Sequence, residues 1–428
     1  DGNAACGRRA EQQFRGDYGV RAPMGLRGEG YEGRERNSMS RGTPDDYRDL
    51  PVPEMEARLA RFEEAVNAAQ RANPPTKERV RMALHGKGDG RCPVRLKRHS
   101  LDLILKYGDD LAALFCAYPD DAVAVIPYDI TIGYQPPNKT PRVNAVEALV
   151  LDRQWVDEWG TRWGHALCGV GATPLECPLQ DWEMLDAYLA TGVPEPGAPG
   201  RFDAAASLLA LHGEGKYCFG IIHLALFERL HALRGMENVL TDFVTHEPEV
   251  GRLLDRLEEY LLELVRRWAA LGADAVFLTD DWGSQSSLLI SPELWRHLFR
   301  PRYARVFCEI HRLGMEVIFH SCGNVTAIVG DLVDIGLDVL DPVQPGAMYM
   351  AQLARDFGGA LAFSGAVDVQ DLLVHGTPQR VKDEVRSVRD TLGAPFGGAL
   401  LLGPANVMTP DIPFANLVAL FESAHERR

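Results

Sequence analysis

Short, continuously apolar runs of strand length recur along the chain and constrain its fold more than any other feature. A strand covered by helices on both faces is apolar throughout, whereas a strand with one solvated face alternates. The runs therefore predict a mostly parallel sheet inside a layer of helices. Eight strands are predicted, at Pro93–Leu96, Ala122–Pro127, Cys218–His223, Ala275–Thr279, Glu316–His320, Leu337–Asp341, Ala360–Ser364 and Ala399–Leu402.

Helical segments lie between several of these runs. The clearest spans 247–271, where Leu253, Leu257 and Leu261 recur at helical spacing and Gly272 supplies a stop signal. Eight strands with intervening helices predict an α/β fold, a (β/α)8 TIM-type barrel. A doubly wound open sheet is the structural alternative.

The rest of the chain departs from this alternation. Residues 131–217 show little of it, which predicts an insertion near the barrel mouth. Residues 1–50 are rich in Gly and Arg and lack apolar periodicity, which predicts a disordered or loosely packed extension. Residues 51–74 are predicted to form an N-terminal helix, and residues 75–428 the barrel domain.

Charge and cysteine usage narrow the partners. The formal net charge of −15 argues against a nucleic-acid binder, which needs a basic face, but not against an anionic small molecule. The eight cysteines are scattered and form no CxxC pair, which is typical of a reducing compartment. No apolar run is long enough to cross a membrane, so a cytoplasmic protein is predicted.

Polar residues follow many of the predicted strands. The carboxyl ends of barrel strands meet at one mouth, where barrel enzymes place their active sites. Each residue alone could simply cap the next helix, so their convergence is the stronger argument. The residues in question are Asp129, His223, Asp280, Asp281, His320, Asp341, Asp368 and Asn406.

The sharpest local pattern is His320-Ser-Cys-Gly-Asn324. Side chains two residues apart on an extended chain share a face, so His320 and Cys322 can both point into the mouth. Imidazole and thiolate together form half of a zinc site. The alternative is a buried histidine beside a small apolar cysteine.

Two acidic pairs leave alternatives open. Asp280 and Asp281 could act as acid, base or metal ligand, or one could cap a helix while the other is solvated. Glu158 follows Asp157 in the predicted insertion, and both could be surface charges or part of a packed turn over the mouth.

Basic residues also cluster near the first predicted strand, in the segment Arg91–His99. They could meet the carboxylates of a substrate, although a solvated basic loop is the preferred interpretation. The residues are Arg91, Arg95, Lys97, Arg98 and His99.

From about Thr76 to Glu426 the sequence resembles the uroporphyrinogen decarboxylase superfamily. The resemblance implies a TIM-type barrel and one of two chemistries, decarboxylation of a tetrapyrrole or transfer of a methyl group. It rests on Asp281-Trp-Gly, Phe319-His-Ser-Cys-Gly-Asn, Phe363-Ser-Gly-Ala-Val-Asp and Gly403-Pro-Ala-Asn.

The decarboxylase branch uses an Asp against the pyrrole nitrogens and Arg residues for the carboxylates, without a cofactor. Asp129 falls close to that Asp. The branch's Arg-rich stretch after the first strand is replaced here by Arg95-Leu-Lys-Arg-His, and its Gly-His-Gly by Gly403-Pro-Ala-Asn. Decarboxylation of a tetrapyrrole or a smaller acid is therefore the alternative function.

The other branch resembles the chain more closely at His320 and Cys322. It consists of zinc-dependent methyltransferases that move a methyl group between a corrinoid and a thiol, with a His-x-Cys motif and a downstream Cys as ligands. No Cys follows Cys322 here, so a carboxylate such as Glu158 or Asp281 would have to complete the site.

The leading hypothesis is a corrinoid-linked methyltransferase that meets a corrinoid or its carrier protein at the barrel mouth. His320, Cys322 and Glu158 would hold zinc; Asp129, Asp281 and His320 would be catalytic. A homodimer is expected from the superfamily alone, and a non-catalytic tetrapyrrole or corrinoid binder is a second alternative. The expected substrate-binding residues are His223, Asp280, Asn324, Asp368 and Asn406.

Overall fold

Seven parallel strands form the main sheet of the computed structural model, which describes residues 47–128, 132–135, 144–167 and 171–426. They run in the order β1-β5-β6-β7-β8-β9-β10, while β2, β3 and β4 form a separate antiparallel sheet. The strands are β1 (Ala122–Val125), β2 (Trp155–Val156), β3 (Arg162–Leu167), β4 (Gly171–Glu176), β5 (Tyr217–Ile222), β6 (Ala275–Thr279), β7 (Glu316–His320), β8 (Val339–Asp341), β9 (Ala362–Ser364) and β10 (Leu400–Leu401).

Residues 93–96 close this sheet into a barrel. On one side Val94 pairs in parallel with Leu402, and the N–H of Arg95 donates to the Leu402 carbonyl at 2.9 Å. On the other side the N–H of Asp121 donates to the Val94 carbonyl at 2.8 Å. The predicted (β/α)8 barrel is thus confirmed, and the open doubly wound sheet is wrong.

The first predicted strand is reduced to a single bridge for a local reason. The Asp120 carboxylate accepts the backbone N–H groups of Leu96 and Lys97, at 2.7 and 2.8 Å. Those two donors are therefore unavailable for pairing with β1. The predicted bounds of β6 and β7 are confirmed, and those of the other predicted strands in the main sheet differ by one or two residues at an end.

Fifteen α-helices surround the strands in the described part of the chain. The predicted helix over 247–271 is confirmed as α8, which buries one leucine-rich face and ends at Gly272, where φ is 83°. The helices are α1 (Val52–Ala72), α2 (Lys77–Leu84), α3 (Leu101–Ala117), α4 (Leu185–Thr191), α5 (Asp203–His212), α6 (Phe227–Arg234), α7 (Met236–Thr245), α8 (Glu247–Leu271), α9 (Pro292–Leu298), α10 (Arg300–Arg312), α11 (Thr326–Asp334), α12 (Met350–Phe357), α13 (Leu372–His375), α14 (Pro378–Val388) and α15 (Phe414–Ala424).

The predicted insertion carries the small antiparallel sheet, which is fixed to the barrel by buried charges. Asp157 accepts from the Trp163 indole at 3.0 Å and pairs with Arg229 of α6 at 3.2 Å. The Arg229 guanidinium also lies 4.5 Å from the ring centre of Trp159. The insertion is therefore anchored just after β5, at the end of the barrel where the strands finish.

The N-terminal predictions fare differently. Helix α1 corresponds to the predicted helix over 51–74 and buries Met55, Phe62 and Val66. The predicted extension over 1–50 lies outside the described residues except for Tyr47–Leu50, which form a turn. Among the helices that the structure describes, none combines the length and apolar character needed to span a membrane.

Gly220 in the middle of β5 provides a test of this packing. A Cβ atom there would lie 2.1 Å from the Trp268 indole of α8, which is itself buried. We expect Gly220→Ala to lower the free energy of unfolding by about 1–3 kcal/mol, because the indole cannot move freely. Chemical denaturation followed by Trp fluorescence measures the change.

Gly251 is the matched control. It lies inside α8, and nothing would lie within 4 Å of its added Cβ atom. Gly251→Ala should raise the stability by about 0.5–1 kcal/mol through helix propensity. Equal effects of the two substitutions would contradict the proposed close contact between β5 and Trp268.

Candidate active site

A cavity of about 620 Å³ opens among the carboxyl ends of the strands. Five of the residues that the sequence places at or just after strand ends line it, namely His223, Asp281, His320, Cys322 and Asn406. The structure therefore brings together side chains that follow four different strands. Asp129 lies outside the described residues.

Asp281, His320 and Cys322 form a compact set of metal-binding atoms. The Cys322 Sγ lies 3.4 Å from His320 Nε2, and Asp281 Oδ1 lies 3.6 Å from the same nitrogen. Ligand atoms from the three side chains all lie within 4.8 Å of one another. Two ligands of a tetrahedral zinc ion are about 3.3–3.5 Å apart, so the donor set fits zinc.

The loop that carries Cys322 is held by close backbone packing. The N–H of Cys322 donates to Asp281 Oδ1 at 2.8 Å, and Gly283 donates to the Cys322 carbonyl at 3.1 Å. Gly323 has a φ of 81°, and a Cβ atom there would lie 2.2 Å from the Gly283 carbonyl oxygen. The two glycines thus allow the β6 and β7 loops to meet and place Asp281 beside the thiol.

The Cys322 thiol is protonated in the absence of a cation. Burial, and next the Asp281 carboxylate, raise the pKa of this thiol well above its ordinary value. The side-chain N–H of Asn406 donates to its sulfur at 3.2 Å. A bound cation would favour the thiolate instead, because it stabilises negative charge on its ligands.

Asp341 fixes the orientation of His320. Its Oδ1 lies 2.5 Å from His320 Nδ1, and the Ser364 hydroxyl donates to its Oδ2 at 2.6 Å. Asp341 is fully buried, which opposes ionisation, but Arg98, His320 and Arg95 together lower its pKa well below its usual range. The carboxylate therefore accepts a hydrogen bond from the Nδ1–H group of His320. The lone pair on Nε2 is then directed toward Cys322 and Asp281.

Arg95 and Arg98 are not part of a solvated loop, so that interpretation is wrong for them. Both are largely buried and pair with Asp341, at 3.3 and 3.0 Å. The Arg95 guanidinium also lies against the rings of Phe219 and Phe277, at 4.8 and 5.0 Å from their centres. Both arginines are thus neutralised inside the barrel by the carboxylate of Asp341. The sequence alone does not reveal this pairing.

Asp280 does not reach the cavity, which corrects its expected role in substrate binding. It is fully buried, and its carboxylate accepts the backbone N–H groups of Leu226, Phe227 and Glu228 at 2.7–3.0 Å. It also accepts from the Tyr303 hydroxyl. Asp280 therefore caps the start of α6, while its neighbour Asp281 faces the mouth.

Glu158 is also absent from the metal-binding set, which corrects its expected role as a ligand. Its carboxylate pairs with both terminal nitrogens of Arg201, one of them at 2.7 Å. Arg201 in turn lies 4.5 Å from the ring centre of Tyr134. The pair is buried within the insertion, and Asp281 rather than Glu158 is the third member of the group that could hold a metal ion.

Asn324 and Asp368 act on backbone groups rather than in the main cavity. The side-chain oxygen of Asn324 accepts from the N–H of Thr326 at 3.1 Å, at the start of α11. Asp368 accepts from the N–H of Gln370 at 2.7 Å and lies beside a second, smaller cavity. Neither residue lines the main cavity, and their expected role in substrate binding stays a prediction.

Glu228 lines the cavity, although the sequence alone does not single it out. Thr279 donates to its carboxyl group at 3.3 Å. Burial, then the charges of Asp281 and Asp280, raise the pKa of Glu228 well above its usual range, which favours its protonated form. Acidic residues are common in the first turn of a helix because they interact favourably with the helix dipole. The position of Glu228 in the sequence therefore does not indicate a functional role.

Comparison with known proteins assigns the second half of the chain to a family. Residues 227–427 match the model described as Uroporphyrinogen decarboxylase (URO-D). This region is a uroporphyrinogen decarboxylase family domain. It contains Asp281, His320, Cys322 and Asn406, whereas the cavity walls contributed by residues 63–223 precede it.

Curated relatives of the URO-D domain fall into two groups of enzymes. The chain is 26% identical to a methylated-thiol–coenzyme M methyltransferase of Methanosarcina mazei, over 45% of this chain and 49% of the relative. It is 24% identical to the methylcobamide:CoM methyltransferase MtaA of Methanosarcina barkeri, over 40% and 48%. It is 28% identical to a uroporphyrinogen decarboxylase of Thermus thermophilus, over 41% and 48%. The chain thus spans about half the length of the curated relatives it matches.

A solved structure supports the fold assignment. A methyltransferase from Methanosarcina mazei superposes with a TM-score of 0.58 at 17% sequence identity. The match covers 82% of this chain and 98% of that protein. The likeness therefore extends the barrel of the URO-D domain to the part of the chain that precedes residue 227.

Asp341→Asn tests the orientation of His320. The amide keeps the shape of the side chain but removes the charge that Arg95 and Arg98 require. We expect the affinity for Zn²⁺ to fall about 10–100-fold, as for other partners of metal-binding histidines. Competition with a chromophoric chelator measures the affinity, and circular dichroism checks folding.

Asp331→Asn is the matched control, because Asp331 pairs with Arg296 on the outer surface at 2.9 Å. Its affinity for Zn²⁺ should equal that of the parent. A folded Asp341→Asn variant that binds Zn²⁺ as tightly as the parent would contradict the proposed orienting role.

Proposed function

We propose that this chain is an enzyme that moves a methyl group between a corrinoid and a thiol or another small acceptor. The observation that carries the proposal is the set of nitrogen, sulfur and oxygen donors from His320, Cys322 and Asp281 at the barrel mouth. The methyltransferases among the relatives support it, since their printed names specify a thiol and a methylcobamide.

The residues fit a zinc ion with one open position. His320 Nε2, Cys322 Sγ and the Asp281 carboxylate would hold it, and Asp281 takes the place of the downstream Cys that the methyltransferase branch uses. Zinc in such a site would stabilise an acceptor thiol as its thiolate at neutral pH. Nitrogen, thiolate and carboxylate together are an ordinary ligand set for this metal.

The neighbouring side chains prepare this site before a substrate arrives. Asp341 holds the His320 ring by its Nδ1 proton, and Asn406 donates to the Cys322 sulfur. Burial and the charge of Asp281 raise the pKa of Glu228, and the protonated form that this favours would limit the negative charge around the donors. The apolar walls at Ile221 and Phe277 exclude water, which leaves an acceptor thiolate less solvated and more reactive.

Metal analysis of the purified protein tests the ligand set. We expect about one zinc per chain in the parent, from the single three-ligand group in the described residues. Cys322→Ser and Asp281→Asn should lose most of it, whereas Glu158→Gln should retain it. Elemental mass spectrometry on protein prepared without chelators gives the content.

The opposite pattern, with zinc lost in Glu158→Gln and kept in Asp281→Asn, would contradict the assignment of the third ligand. No zinc in the parent would contradict the site itself.

Methyl transfer is tested directly with methylcobalamin and a small thiol. Demethylation changes the absorbance spectrum of the corrinoid, so the rate can be followed optically. Removal of the metal should abolish the reaction and added Zn²⁺ should restore it. Unchanged turnover after verified metal removal would reject the proposal.

Decarboxylation is the second candidate, because Lys97 and Arg98 line the cavity and decarboxylases are among the relatives. These cations are already paired, Lys97 with Glu63 at 2.6 Å and Arg98 with Asp341 at 3.0 Å. Fewer charges are thus available for substrate carboxylates. Carbon dioxide released from uroporphyrinogen by metal-free protein would favour this alternative.

A further inference from the structure

A second cavity, of about 340 Å³, meets the main cavity at Cys322 and Asn406. It is formed by the loops that follow β6, β7, β8, β9 and β10, and its lining residues lie between Gly283 and Asn406. The Cys322 thiol and its hydrogen-bond donor are thus shared by two cavities.

The second cavity offers uncharged amide groups. Gln285, Gln344 and Gln370 line it. The side-chain oxygen of Gln344 accepts from the Gly323 N–H at 2.7 Å, and Gln285 and Gln370 are exposed at the rim. The carboxylate of Asp368 accepts hydrogen bonds from backbone N–H groups of its own loop. A ligand that carries neutral hydrogen-bonding groups would match this lining.

The main cavity has a different character. Its walls include Ile221 and Phe277, and it extends away from Cys322 to the side chains of Glu63 and Asn67 on α1. It is larger and combines an apolar surface with paired charges. A small molecule with an apolar body fits there and can reach Cys322 without entering the cavity that the glutamines line.

Building on the methyl transfer proposed above, we infer that the two reactants reach Cys322 from different cavities. The corrinoid docks its amide-bearing edge on Gln285, Gln344 and Gln370, and the small thiol occupies the main cavity. The corrinoid sits at the open rim of the second cavity, where Gln285 and Gln370 are exposed. Neither reactant then has to leave before the other binds.

The step at the junction balances as a methyl transfer. The thiolate electron pair forms the new sulfur–carbon bond. The cobalt–carbon bond breaks with both of its electrons left on cobalt, which goes from cobalt(III) to cobalt(I). The thiol proton is released to solvent when the thiol binds as thiolate.

Tryptophan substitutions that fill one cavity at a time test the inference. Gln370→Trp narrows the second cavity, and Ile126→Trp narrows the main cavity at a side chain that is also partly exposed. We expect Gln370→Trp to weaken methylcobalamin binding about tenfold, measured by equilibrium dialysis of the zinc-loaded full chain. Ile126→Trp should leave that affinity unchanged but raise the KM for 2-mercaptoethanol about tenfold.

Two results of the binding measurement would overturn the inference. One is weakened methylcobalamin binding in Ile126→Trp with normal binding in Gln370→Trp; the other is no binding of methylcobalamin by the parent. Dialysis requires no turnover, so it separates the two proposals. Methyl transfer that proceeds equally in the parent and in Gln370→Trp would leave the methyltransferase proposal intact and reject the docking site.

Discussion

The buried carboxylate of Asp341 is the interaction on which both the barrel and its site depend. It lies at the end of β8 and receives Arg95 and Arg98 from the segment before α3, His320 from β7 and the Ser364 hydroxyl from β9. A fully buried charge is costly unless it is paired and fully hydrogen-bonded, and here it is both. The same contacts that join the strands therefore set the direction of the His320 ring.

This coupling explains why the donor set is arranged before any ligand binds. His320 is held from behind by Asp341, and Cys322 is held by Asp281 and Asn406. A site whose ligands are already positioned loses little entropy when it binds a cation. The proposed zinc chemistry therefore rests on side chains belonging to the rigid strand ends rather than to the insertion.

Two parts of the chain contribute different walls to the candidate active site. The URO-D domain supplies the three side chains that are proposed to hold zinc and the whole lining of the second cavity. The residues before it supply much of the wall of the main cavity, including the face of α1 that carries Glu63 and Asn67. The small reactant is proposed to bind against that wall. Its identity therefore does not follow from the resemblance of the His320–Cys322 motif to that of the methyltransferases.

The sequence by itself determined the features that depend on local order: the β6 and β7 runs, the leucine periodicity of α8 and the His320–Cys322 spacing. It could not decide between Asp280 and Asp281, since adjacent side chains on an extended chain point to opposite faces. Only the packing of α6 against Asp280 shows that Asp281 is the carboxylate that faces the mouth. The partners of Glu158 and Arg95 likewise come from distant segments, so only the tertiary structure revealed that both are buried in ion pairs.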